Sequence, residues 1–118
     1  MAQTRDELLF LTDCSKRDFE VLKKWTNLAQ MSEQEAMDNL IGLIAYKISK
    51  MMEYQHKQLL DLLYATDIDE RKVRACFHPE KSTSEVANDL ALLYIDRMRQ
   101  KWKTRLDYRN QNIEGDWD

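Results

Sequence analysis

Two histidines, two cysteines and a few neighbouring carboxylates are the only residues of this chain that suggest a catalytic or metal-binding cluster. His56 has Glu53 and Asp61 close by in sequence, and Cys76 and His78 are separated by one residue. A zinc site needs about four ligands with paired spacings such as Cys-x2-Cys or His-x3-His. Cys76 and His78 would stand about 200° apart on a helix, which is poor for chelation unless the helix has already ended. His56 lies between Gln55 and Lys57, the flanks of a solvent-exposed side chain. Lone histidines far outnumber ligand sets, so no metal, cofactor or catalytic residue is expected from this group. Asp67, Asp69 and Glu70 form an acidic cluster without the glycine and spaced oxygen ligands of a calcium loop. Acidic residues that open a helix complement its dipole, and capping accounts for them.

The basic run Arg97, Arg99, Lys101, Lys103, Arg105 and Arg109 is the most suggestive surface feature. Arg97, Lys101, Arg105 and Arg109 recur every fourth position, so on a helix they form a slowly winding ridge close to Tyr94 and Trp102. Such a ridge could grip phosphates or an acidic partner. Against this, the formal net charge is −3, and cations near a helix C-terminus are favoured by the dipole alone. Residues 1–70 carry 8 basic and 13 acidic side chains and residues 71–118 carry 10 and 8, a mild polarity. Nucleic acid therefore ranks behind protein as an expected partner. A glycine-rich phosphate loop, a nucleophile elbow and a Cys-x-x-Cys pair are all missing from the sequence, and no enzymatic activity is expected.

The elements that must position these residues read as helices. With 2 glycines and 1 proline in 118 residues, the chain cannot supply the closely spaced turns of an all-β domain. Thr4/Glu7, Ser32/Glu35, Asp67/Glu70 and Ser82/Glu85 each fit a capping box or its Asp-led variant, and each opens an apolar stripe. The first segment predicts a short helix, a turn at Thr12-Asp13-Cys14-Ser15, and a second helix over Ser15–Gln30 with Phe19, Leu22, Trp25 and Leu28 or Ala29 on one face. After Ser32 the residues Met37, Leu40, Ile41, Ile44, Ile48, Met51 and Met52 make a continuous stripe. That helix is expected to reach about Tyr64, with a bend near Glu53 left open, and Gly42 within it suggests a close helix crossing. A short helix follows over Glu70–Phe77, ended by His78-Pro79. The last helix is expected over Thr83–Tyr108 with Val86, Leu90, Leu93, Tyr94, Met98, Trp102 and Leu106 inward.

The stretch from Ile48 to Val73, and within it Leu62-Leu63-Tyr64-Ala65-Thr66-Asp67-Ile68-Asp69-Glu70, resembles a group of small, uncharacterised helical bacterial proteins. These combine a Leu-Leu-Tyr-x-x-Asp-x-x-Glu turn with a final helix of the form Ala-x-x-Leu-Ala-x-Leu-x-Ile-x-Arg, which Ala87 to Arg97 matches here. The resemblance covers about half the chain and implies a shared helical architecture, with no activity, ligand or catalytic residue.

The expected fold is all-α, a small helical bundle with two long helices and about three shorter ones. Residues 1–109 would form the single domain, and 110–118 an acidic, flexible tail. With two distant cysteines and a polar start, no disulfide and a cytoplasmic location are expected, and no apolar run is long enough for a membrane span. Leu43, Tyr46, Leu92 and Ile95 lie off the main stripes of their helices. Wide stripes imply burial on more than one side, so these four are the expected protein interface, and a homo-oligomer or another protein the expected partner.

Overall fold

The first helix runs straight through the segment whose composition suggests a turn. In the structure, a computed structural model that describes the backbone of residues 5–20 and 31–115 and the side chains of 5–20 and 31–109, α1 spans Arg5–Phe19. Ser15 fits inside it because its hydroxyl donates to the Leu11 carbonyl one turn back (2.7 Å). A buried hydroxyl is tolerated in a helix when it is satisfied in this way. Leu8, Leu11, Ser15 and Phe19 share the buried face. The helix stops where Glu20 takes a left-handed conformation (φ 55°), its amide donating to the Lys16 carbonyl (3.0 Å). The expected helix over Ser15–Gln30 is thus corrected: its first residues belong to α1. Leu22, Trp25, Leu28, Ala29 and the cap residue Thr4 lie outside the described residues.

Helix α2 spans Glu33–Tyr54, and Ser32 caps it by accepting from the Glu35 amide (3.1 Å). Its buried row is Ala36, Met37, Leu40, Ile44, Ile48 and Met51. The expected run to Tyr64 is interrupted at Gln55 (φ −142°, ψ 48°), after which α3 spans His56–Ala65. Residues 53–58 are all exposed, so no packing would be lost by breaking the helix there. Leu59 and Leu63 of α3 belong to the same core as the α2 row. Asp67 does not cap the next helix. It takes a left-handed conformation (φ 64°) behind α3, where the Asp67 amide donates to Tyr64 and the Ile68 amide to Leu63. Ile68 is buried with Leu63, completing a Schellman-type stop. The cap of α4 (Glu70–Cys76) is Asp69, which accepts from the Arg71 amide (2.9 Å).

Helix α5 spans Thr83–Gly115. Its start is a reciprocal capping box: the Glu85 amide donates to the Ser82 hydroxyl, and the Ser82 amide to the Glu85 carboxylate (3.2 Å each). The helix passes the expected end at Tyr108 and takes in 110–115, the first part of the expected tail.

Among the described residues the fold is all-α, five helices with no strand. The α2–α5 pair is the most extensive contact; α1 packs on both, α3 on α2 and α4 on α5. One apolar core runs through all five helices. At 1.5 Å per residue α5 is about 50 Å long, close to the longest extent of the molecule, 55 Å. No described helix is long and apolar enough to cross a membrane.

Gly42 faces solvent, and a Cβ built there would meet nothing within 4 Å. The expected close crossing is therefore absent, and the glycine only weakens the helix. Gly42→Ala should stabilise the protein by roughly 0.5–1 kcal/mol, read as a higher urea midpoint with an unchanged slope. A destabilised variant would show that the position is packed after all.

Candidate interaction surface

The groups with chemical potential are scattered by the fold. His56 is exposed, with its ring edge-on to Phe77 at 6.0 Å. Asp61 pairs with Lys57 (3.8 Å), and the His78 Nδ1 accepts from the Glu80 amide (3.2 Å). Cys76 is buried and its thiol donates to the Lys72 carbonyl (3.3 Å). Among the described residues no three His, Cys, Asp or Glu side chains converge as a metal site would require. Cys14 and Cys76 are both free, and burial pushes each thiol above its ordinary value, away from the reactive thiolate. Asp69 is held below the carboxylate range chiefly by the Arg71 backbone amide.

The basic ridge is divided among separate partners. Arg97 donates to the Asp67 carbonyl (3.1 Å) and carboxylate (3.2 Å). Arg105 lies 5.0 Å from the centre of the Phe10 ring, which packs against Trp102 at 5.2 Å. Arg99, beside the ridge, pairs with Glu7 (3.3 Å). Lys101 is half-buried, while Arg109 is exposed. The ridge continues the row of Leu90, Tyr94 and Met98, so its cations point along the side of α5 that meets the bundle.

That row is fixed at Tyr94, which is wholly buried. Its hydroxyl donates to Asp18 (2.5 Å), Asp18 is also paired with Arg17 (3.0 Å), and Phe19 packs edge-on against the Tyr94 ring at 4.8 Å. The link joins α1 to α5 across 76 residues of chain.

The four expected interface residues separate. Ile95 is 3% exposed and belongs to the core, so it is corrected from surface contact to packing residue. Leu43 is half-buried against the core. Tyr46 (64% exposed) and Leu92 (45%) are on the surface, of α2 and α5 respectively. Tyr46 has the Lys50 ammonium 5.5 Å from its ring centre.

Leu92 and Ile95 both line a concavity, and of the two only Leu92 is exposed. An open groove of about 580 Å³ has Ile41, Ala75, Cys76, Leu92, Leu93 and Ile95 as its apolar lining, and Lys81, Asp89, Asp96 and Arg99 as its charged lining. Lys81 and Asp89 pair with each other (2.6 Å). Sequence reasoning found Leu92 and Ile95 but missed Ile41 and Leu93, which it counted as core, and the charged rim. The available signal was the spacing of Leu92, Ile95, Asp96 and Arg99 at i, i+3, i+4 and i+7, one contiguous patch of helix surface. No protein-family model matches this chain, and no curated protein and no solved structure matches it.

The buried phenol and thiols set a pH limit. Burial raises Tyr94 from 10.0 and Cys14 and Cys76 from 9.0, with Asp18 adding to the effect on Tyr94. Groups raised in the folded state contribute stability that is complete below their unfolded values and is lost as pH climbs through the folded ones. The melting temperature should therefore fall above about pH 9. Tyr94→Phe should cost roughly 1.5–3 kcal/mol at neutral pH, as for a hydrogen bond to a charged group. Above about pH 10 the variant should lose stability less steeply than the wild type. Parallel melting curves of the two proteins would refute the assignment.

Proposed function

We propose that this chain is a non-enzymatic protein-interaction module whose docking surface is the α5 groove beside Leu92. The observation that carries the reading is a large aliphatic side chain, 45% exposed, at the edge of an apolar-floored groove on the longest helix. Isolated exposed leucines are ordinary; an exposed leucine adjoining a concave apolar floor with a charged rim has the make-up of an interaction site. The fold does not need Leu92, since the core closes over Leu90, Ala91, Tyr94 and Ile95 around it. Two unpaired thiols fit a reducing compartment such as the bacterial cytoplasm. The division of Arg97, Arg99 and Arg105 among separate partners favours protein over nucleic acid as the bound species.

Site-specific photocrosslinking tests the reading. A crosslinking residue at Leu92 should give a discrete adduct in the native cell, whereas one at the exposed Gln34 of α2 should not. Equal labelling at both positions, or none at either, would remove the groove as a docking surface.

A further inference from the structure

The charge pattern of α5 names an occupant for the groove. From Thr83 to Asp96 every charged residue is acidic (Glu85, Asp89, Asp96); from Arg97 to Arg109 every one but Asp107 is basic. Glu85, Leu92, Asp96 and Lys103 are all exposed and lie on the side of α5 turned away from the buried Tyr94. A surface that is acidic at one end and basic at the other complements a copy of itself laid antiparallel.

We infer that the groove receives α5 of a second copy of this chain, in a two-fold antiparallel pair. Leu92, Ile95, Asp96 and Arg99, the diamond on the α5 side of the groove, have the arrangement into which a knob from a facing helix inserts. The knob is Leu92 of the other copy, and the symmetry makes the exchange mutual. Seating Leu92 at the centre of that diamond fixes the register. It brings Glu85 opposite Lys103 of the other copy, and Asp89 opposite Arg99. Asp89 and Arg99 keep their contacts with Lys81 and Glu7 in the pair. The steric and electrostatic fits thus choose the same register independently. The stretch from Glu85 to Lys103 is about 27 Å long, so the contact is small, and the dimer is correspondingly weak and salt-sensitive. This inference rests on the groove being a docking surface and adds the partner and its orientation.

Sedimentation equilibrium of the full chain, at low and high salt and up to hundreds of micromolar, tests it. At low salt the mass should rise with concentration from one chain toward two, and the rise should shrink at about 0.5 M salt. Leu92→Glu should stay monomeric with unchanged helicity, since the residue is outside the core. Lys103→Glu should weaken the dimer at least about tenfold, because it sets two like-charged pairs in contact. The double variant Glu85→Lys, Lys103→Glu should recover most of that loss, and recovery through loss of a helix cap would be hard to explain by anything but pairing. A wild type that remains monomeric throughout overturns the inference, and the crosslinking at Leu92 then decides separately whether the groove binds a different protein. A dimer indifferent to Leu92→Glu and to the charge exchange also overturns it, by placing the contact on another face.

Discussion

The phenol of Tyr94 has to find a hydrogen-bond partner, and that requirement sets the orientation of the longest helix. A hydroxyl buried without a partner costs roughly 1–3 kcal/mol, and Tyr94 is completely buried. The partner, Asp18, is on α1 and is paired with Arg17, while Phe19 closes on the ring. Polar and apolar contacts thus hold α1 against one side of α5. Two residues earlier, about 200° around the helix, Leu92 must face the opposite way. The arrangement that buries Tyr94 is also the one that exposes Leu92 and Asp96.

The same helix changes character along its length. Its inward row is aliphatic and aromatic through Met98, the last buried residue of α5 among those whose side chains are described. Beyond that point the row continues as Lys101 and Arg105, with Trp102 and Leu106 half-buried beside it. The bundle's core does not extend alongside α5 any further, so long cationic side chains take over, covering apolar neighbours with their stems as Arg105 does over Phe10. A basic ridge on the sequence is in this way divided between the edge of the core and the solvent.

How much of this was legible depended on whether the cause was local. The caps at Ser32 and Ser82 are local chemistry, and both occur where the sequence places them. The helical stripes are legible for the same reason, since a period of about 3.6 needs no knowledge of the rest of the chain. The break at Gln55 was not, because six exposed residues permit either a continuous or an interrupted helix, and either one presents Leu59 and Leu63 on the side of the α2 row. Thr12 to Ser15 has the composition of a turn but lies between Leu11 and Phe19, whose packing outweighs propensity. Asp67 and Asp69 were exchangeable as caps on paper, and the left-handed stop of α3 assigns the role to Asp69. Ile95 looked like surface because it is off the main line of its helix. Only the docking of neighbouring helices reveals that α5 is buried over a wider arc.

Ile95 and Leu92 show how one turn of helix can both close a core and wall a surface groove. They are three residues apart, both line the groove, and one is 3% exposed while the other is 45% exposed. Ile95 forms the floor because the core holds it, and Leu92 stands on the wall because none of the described residues covers it. A heterologous partner could occupy such a groove with a ligand charge of a single sign. In the pairing we infer, the reversal of charge along α5, from Glu85 and Asp89 to Arg99 and Lys103, meets the same reversal running in the opposite direction. The partner that carries it by necessity is another copy of this chain, turned about a two-fold axis.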